Sequence, residues 1–597
     1  MSDLTIRLSS MRNLESTVFQ KGDLGKSFEN IVRVDQESER FRPVGIHRRP
    51  QGFALTVGWS GTRPKEDPDV FAEEIFNFVH GPRLAAPPWP FAPCFVMLAE
   101  WDPTMRVVAY RSEFGRVPAF LLKNNDALTL STHPAKALEL AGANAQPNLK
   151  RLRQFLMGAN GLSDFSFMRG LERLLPGVVY SWNSKMSLSR KAQESLSASN
   201  LPKSRQGRVS RLGQEFSKAI SSFESRWDSR PCYWVSGGLD STILYSKAVD
   251  ENGTSDLFGA RMKSERHQIF EPRDRLDSVE KMHGTQICDF CIDEGRLVET
   301  DARASVAWGP SDYPGQRFLS SFVKRIVRKT GKRVFATGNG SERLFTRRAG
   351  ETLNTISSAE LVRGAFEFSR AFGKKRFLHA LVDKLLMGYF GGSGSDIRRD
   401  SGVDNEELPI WRKPIYWVRR PLRSSMKPVD SRQLNFVDNP FSHFQSLYWG
   451  NVLRTYEKLS RERGVFFEFP YLERSLARFV LSLPHSDLVA DGKNRWPLRV
   501  LGRRLLPSEF FPFRKSGWVD QLLEWKLGVE ETRIVVELFE QSILEEFGLI
   551  ESSKFLQAYE KYCAASRENI GSGEIVGSFP IWRAISAELW LRRFRGC

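Results

Sequence analysis

Over roughly the first 183 positions apolar and polar residues alternate in short runs that glycine and proline interrupt. Residues 91–102 (FAPCFVMLAEWD), 105–112 (MRVVAYRS) and 118–132 (PAFLLKNNDALTLST) carry the two-residue period of half-buried strands, which predicts successive strands with tight connections. Residues 184–208 are Ser-, Lys- and Arg-rich and predict a linker. Beyond it the rhythm changes. Residues 209–227 (VSRLGQEFSKAISSFESRW) predict an amphipathic helix, and 231–249 (PCYWVSGGLDSTILYSKAV) a buried strand, a glycine turn and a helix. A strand at 256–262 (DLFGARM), a helix at 315–331 and a strand running into a glycine turn at 332–340 follow. Strands that alternate with helices through long crossovers imply a parallel sheet covered on both faces. From about residue 353 the pattern is mostly helical, and 393–434 reads as an insertion or mobile loop. No internal repeat stands out.

The length of 597 residues predicts two or three domains, and 41% hydrophobic with 12% aromatic residues supplies sizeable cores. Disordered and fibrous classes are excluded. No apolar run reaches the roughly 18 residues of a membrane span. Met1-Ser2-Asp3-Leu4 lacks the layout of a secretory signal, so the expectation is a cytoplasmic protein. Six cysteines make no disulfide framework, and Cys288 and Cys291 read as two cysteines in or near a strand rather than as half of a zinc or redox site. The formal charge of +18 favours anionic partners, or else marks a basic solvated surface. Nucleotide, acidic peptide and membrane surface all qualify, and nucleic acid is the less favoured reading.

Chemistry enters at Ser236-Gly237-Gly238-Leu239-Asp240-Ser241, between the strand 232–235 and the helix from Thr242. Two glycines let backbone N–H groups approach an oxyanion, and the helix N-terminus adds a favourable dipole. Ser236 and Ser241 supply hydroxyl donors. Asp240 would repel a phosphate directly but suits a Mg²⁺ ion. The spacing is not that of a Walker loop. A plain Gly-Gly turn is the bland alternative, and the flanking serines and aspartate argue against it.

The hexapeptide resembles the pyrophosphate loop of the N-type ATP pyrophosphatases, among them asparagine synthetases, β-lactam synthetases, lasso-peptide cyclases and lysidine synthetases. Further segments resemble the asparagine-synthetase branch in order. Thr337-Gly338-Asn339-Gly340-Ser341-Glu342-Arg343-Leu344-Phe345 is similar to its SGxGxDExF motif, and the resemblance makes Glu342 the second Mg²⁺ carboxylate. Pro470-Tyr471-Leu472-Glu473 is similar to PFLD, and Leu498-Arg499, Leu506-Pro507 and Lys515 to KxxLR…LP…K. Upstream, residues 109–118 resemble ARDxxGxxPL and Leu174-Leu175-Pro176-Gly177 the LxPG turn. The resemblance implies an α+β glutaminase-like (Ntn) sandwich domain over 1–183. It further implies an α/β parallel-sheet ATP-pyrophosphatase domain over 209–597 with a largely helical C-terminal part. Thr337, Gly338 and Lys515 join Ser236–Ser241 as ATP and pyrophosphate contacts.

Departures narrow the branch. The glutaminase nucleophile, a cysteine after the initiator, is replaced by Ser2, and the first cysteine is Cys94. Ammonia production is then lost, as in β-lactam synthetases and lasso-peptide cyclases, where the substrate's own amine attacks its own activated carboxylate. Asn339 stands where asparagine synthetases carry glutamate and β-lactam synthetases tyrosine. By elimination the expectation is a lasso-peptide cyclase using ATP and Mg²⁺, with a precursor peptide and a leader-removing protease as partners. Arg343 replaces the glutamate of the DE pair, and Arg495, with Lys493 two residues earlier, stands at the catalytic lysine. Arginine can stabilise charge but cannot donate a proton near neutral pH. An amide synthetase acting on a small acid and an inactive scaffold are the remaining readings.

Overall fold

In a computed structural model the described residues are strand backbone within 1–105 and most of 106–346, 409–419, 447–511, 518–569 and 576–596. The short alternating runs of the N-terminal half form two antiparallel sheets. The strands are β1 (Leu4–Ser9), β2 (Val32–Gln36), β3 (Pro43–Arg49), β4 (Gly52–Gly58), β5 (Cys94–Glu100), β6 (Arg106–Arg111), β7 (Phe120–Asn124), β8 (Ala127–Ser131), β9 (Leu171–Arg173), β10 (Val178–Asn183) and β11 (Leu188–Ala192). One sheet runs β2-β1-β8-β7-β9 and the other β11-β10-β6-β5-β4-β3. Strands β7 and β8 pair antiparallel from Phe120 with Ser131 to Asn124 with Ala127. The two motif turns of this half meet. Arg111 donates to the carbonyls of Leu174 (2.9 Å) and Gly115, and Gly177 N–H donates to Arg111 O at 2.8 Å.

The segment read as a linker is more ordered than its composition implies. Residues 188–192 are β11, paired with β10 at the sheet edge, where a polar strand is tolerated. Ser204 then caps helix α1 (Arg205–Glu224), its side chain accepting from Gly207 N–H. Val209, Leu212, Phe216, Ala219, Ile220 and Phe223 are buried on α1, the helical period expected from the sequence.

The second half holds a wholly parallel sheet, β14-β13-β12-β15-β16, made of β12 (Cys232–Trp234), β13 (Phe258–Lys263), β14 (Ile287–Cys291), β15 (Val334–Ala336) and β16 (Phe466–Glu468). Cys232, Tyr233, Phe335 and Ala336 are essentially inaccessible, as in a sheet covered on both faces. Helix α2 (Leu239–Asn252) follows β12 and α3 (Gln316–Thr330) precedes β15. Helix α3 buries Phe318, Leu319, Phe322, Val323 and Ile326, carries Arg328 and Lys329 in its last turn, and stops at Gly331 in the left-handed region. After β12 the chain adds β13 and β14 on one side, then crosses back to place β15 on the other. That reversal opens a crevice at the carboxyl ends of β12 and β15, the usual ligand position of such sheets.

Cys288 and Cys291 lie three apart on β14, so they point to opposite faces, consistent with the plain strand reading. The stretch 393–434 is corrected in part. Its described portion, 409–419, is docked rather than loose: Trp417 is fully buried, Val418 bridges Ile550, and Arg412 Nε donates to Val576 O at 2.7 Å. A large aromatic side chain gains too much from burial to stay in water. The rest of 393–434 lies mostly outside the described residues. From 447 onward the chain is mainly helical, including α4 (Leu447–Arg463) and α5 (Trp496–Leu505). No helix among the described residues is long and apolar enough to cross a membrane.

Candidate active site

Both glycine loops open into the crevice. At the end of β12, Gly237 has φ +73°, a conformation other residues resist, and Gly238 precedes the first turn of α2. The serines lock this loop. Ser236 N–H donates to Ser241 Oγ at 3.1 Å, the two hydroxyls are 2.9 Å apart, and Gly238 N–H lies 3.3 Å from Ser236 Oγ. Thr242 Oγ1 donates to Gly238 O at 2.7 Å. Leu239 is buried beneath the loop and Asp240 sits in the first helical turn. The glycine loop thus leads into the start of a fourteen-residue helix, the end whose dipole favours an anion.

At the end of β15 comes the second loop, Thr337 to Gly340. A Cβ on Gly338 would lie 2.8 Å from the backbone nitrogen of Ser241, so the loops touch backbone to backbone and only glycine fits. Gly340 has φ +92° against Leu472. Thr337 is buried, and its N–H donates to Glu468 O at 3.0 Å on β16. Two residues within the quoted motifs, to which the sequence assigned no role, hold Asp240. Ser341 Oγ donates to Asp240 Oδ1 at 3.0 Å, and Tyr471 Oη donates to its carbonyl at 2.9 Å.

Arg495 arrives from a tight two-stranded ribbon, Val489–Ala490 paired with Lys493–Asn494. It adopts φ +59° at the start of α5, and its N–H donates to Asn494 Oδ1 at 3.0 Å. This turn aims the guanidinium into the crevice. Its Nη1 lies 2.8 Å from Asp240 Oδ2, its Nη2 3.8 Å from Glu342 Oε1, and its Nε donates to Thr346 Oγ1 at 2.9 Å. Asp240 and Arg495 are 23% and 25% exposed while Glu342 is 60% exposed, so the first two form the floor and Glu342 the rim. Desolvation pushes the Asp240 carboxyl above its ordinary range, and Arg495 and Ser341 pull it back. Burial and the nearby Arg495 likewise lower Arg499, whose Nε donates to Asn494 O at 3.0 Å.

Nine of the residues singled out from sequence therefore come together past the ends of β12 and β15: Ser236, Gly237, Gly238, Asp240, Ser241, Thr337, Gly338, Glu342 and Arg495. Lys493 is exposed on the ribbon, and Lys515 lies outside the described residues. Asp240 and Glu342 share one cation, the guanidinium of Arg495, at 2.8 and 3.8 Å. Two carboxylates completed by phosphate and water form a donor set that suits Mg²⁺. Among the described residues no group of three or more His, Cys, Asp or Glu gathers to hold a metal by itself.

No curated protein matches the chain. The family described as asparagine synthase matches residues 215–592, a span that contains both glycine loops, the Pro470 turn and Arg495. With more than half of its length matched, the chain belongs to the asparagine synthase family, whose members are ATP-dependent carbon–nitrogen ligases.

Proposed function

We propose that the chain is an AMP-forming ligase that closes a lasso-peptide macrolactam, joining an Asp or Glu side-chain carboxylate of a precursor peptide to that peptide's N-terminal amine. The observation that carries the ligase chemistry is the backbone contact of the two glycine loops, with Asp240 and Glu342 facing one cationic position. The cyclase assignment is supported by elimination: Ser2 in place of a glutaminase cysteine turns the amine source toward the substrate itself, and Asn339 is neither the glutamate of asparagine synthetases nor the tyrosine of β-lactam synthetases. The N-terminal half, 1–183, then acts as a degenerate glutaminase-like scaffold, and a leader-removing protease supplies the free amine.

A carboxylate oxygen of the peptide attacks the α-phosphorus of ATP, and the bond to pyrophosphate breaks. The Ser236–Ser241 loop and the start of α2 hold the departing phosphates through N–H and hydroxyl donors. Asp240 and Glu342 would hold Mg²⁺, which neutralises charge on the phosphates. Arg495 supplies fixed positive charge to the same groups as it builds up, without giving a proton. The peptide amine then attacks the acyl carbon of the acyl-adenylate, AMP leaves, and the amine loses a proton to form the amide. A pre-folded peptide makes this an oriented intramolecular step.

The test is pyrophosphate release from Mg-ATP with and without a candidate precursor peptide. The expected result is peptide-dependent release, lost in Asp240→Ala, with a product lighter by one water. Release driven by a small acid and ammonia instead would replace the cyclase by a small-acid amide synthetase. ATP binding without release on either substrate class would leave a scaffold.

A further inference from the structure

Helix α4 touches both halves of the molecule through adjacent residues. The Tyr456 hydroxyl accepts a hydrogen bond from Asn339 Nδ2 at 2.5 Å, inside the second glycine loop. Its ring packs against Phe467 and Phe469, with centroids 4.7 and 5.4 Å away, on and just after β16. Glu457, the next residue, is buried and turns toward the N-terminal half. Its carboxylate receives Arg173 Nη2 from the end of β9 at 2.8 and 3.1 Å, and Arg111 Nη2 lies 3.6 Å away. Arg173 Nη1 also donates to Gly450 O at 3.1 Å, Trp449 Nε1 to Phe114 O at 3.0 Å, and Arg461 Nη2 to Thr132 O at 3.0 Å. The helix is thus pinned at its start, middle and end to residues 111–173, and it presents Tyr456 to the loop on another face. A buried carboxylate that loses its guanidinium leaves an uncompensated charge, so this attachment resists small displacements.

The two glycine loops are held by different means. Ser236, Ser241 and Thr242 fix the first loop within its own strand and helix. The second has only long bonds of its own, from Asn339 N–H and Nδ2 to Thr337 Oγ1 at 3.4 Å, and adds neighbours: Glu468 O for Thr337 and Tyr456 for Asn339. We propose that Glu457 and Tyr456 are positioning residues through which the N-terminal half fixes the second glycine loop, and with it Glu342, for the ligase reaction. The kinetic part rests on the ligase reading above. The first loop keeps its own bonds, so weakening this attachment lowers turnover more than it weakens Mg-ATP binding. A displacement of about 1 Å at a reacting group costs on the order of a hundredfold in rate.

The experiment combines hydrogen exchange with kinetics on the full chain carrying Arg173→Met, Glu457→Gln and Tyr456→Phe, the last of which keeps the ring. Amides of 338–346 are expected to exchange at least about tenfold faster in each variant, with 236–242 unchanged. With Mg-ATP and the precursor peptide, kcat is expected to fall about tenfold or more while KM for Mg-ATP stays within about twofold. Arg173→Met combined with Glu457→Gln should cost little more than either alone, the mark of coupling rather than of proximity. Unchanged exchange in 338–346 in all three variants overturns the proposal, as does faster exchange spread evenly over the chain, which a merely structural role would give. A wild-type chain that releases no pyrophosphate with any acid overturns the ligase reading instead, and the exchange measurement still decides whether the loop is positioned from the N-terminal half.

Discussion

Asp240 and Glu588 are both enclosed carboxylates, yet their partners differ in kind. Glu588 is fully buried in the C-terminal helices and accepts from Ile543 N–H (3.0 Å), Leu544 N–H (2.9 Å), Ser542 Oγ (2.9 Å) and Arg592 Nε (2.9 Å). Glu531 takes the N–H groups of Leu297 and Val298, both at 2.7 Å, and Glu524 those of Val576 and Gly577 at 2.8 and 2.6 Å. These oxygens are spent on backbone that cannot leave, so the carboxylates staple loops and helix starts. Asp240 takes side-chain donors instead, Ser341 Oγ at 3.0 Å and Arg495 Nη1 at 2.8 Å, which are not fixed in the backbone. The same functional group thus serves fold in one region and chemistry in the other, according to whether its donors are fixed.

Substitutions on the two sides sharpen this contrast. The largest effect is expected for Asp240→Asn, which should lower pyrophosphate release about 10²- to 10³-fold while the melting temperature hardly moves. Glu588→Ala should do the reverse. Three fixed donors lose their acceptor and stability drops by about 3–5 kcal/mol in urea unfolding, with activity per folded molecule retained. Should both variants lose activity and stability together, the division between the two kinds of carboxylate would fall. Arg495→Met removes the competing cation, so Mn²⁺, read by its paramagnetic signal without nucleotide, should bind about tenfold more tightly. Equal or weaker binding would show that the guanidinium does not occupy the metal's position. Arg495→Lys keeps the charge but loses the fork, and kcat should fall about tenfold or more.

The smallest expected effect concerns pH. Burial raises the Glu524 and Glu531 carboxyls above their ordinary range, although backbone N–H groups pull them back. A folded carboxyl that holds its proton more tightly than the unfolded one contributes fully only below the unfolded pKa. That contribution is lost as pH rises through the raised folded value. Glu524→Gln and Glu531→Gln should therefore flatten the fall of unfolding free energy with rising pH in mildly acidic buffers, and an unchanged slope would refute the assignment.

Much of this architecture was legible along the chain. The strands at 94–100, 106–111, 120–124 and 127–131 follow from alternation, and α1 and α3 from their helical period. Where reading failed, the signal was weak or distant. The edge strand β11 hid in a polar, Ser-rich stretch because an edge strand needs no apolar face. Trp417 sat in a segment read as loose because charge and glycine around it masked one buried aromatic anchor. Within the site, Ser341 and Tyr471 lay inside recognisable motifs, yet nothing local told which atom they would hold. Tyr456 had no local signal at all.

By itself the sequence determined the local chemistry: two glycine loops, each at the end of a strand, with an acidic residue two positions past the last glycine. Backbone conformation and hydrogen bonding over six to nine residues depend on those residues alone, so spacing suffices to read them. Only the tertiary structure decided that the loops touch at Gly338 and Ser241, and that Arg495 rather than Lys493 meets Asp240. The same holds for Asn339, which reaches Tyr456 on a helix pinned to the other half of the chain. Those three contacts join residues 97 to 255 positions apart and exist only once the parallel sheet has reversed its order between β12 and β15. Distance along the chain carries no information about such meetings, because packing of the whole sheet sets which ends become neighbours.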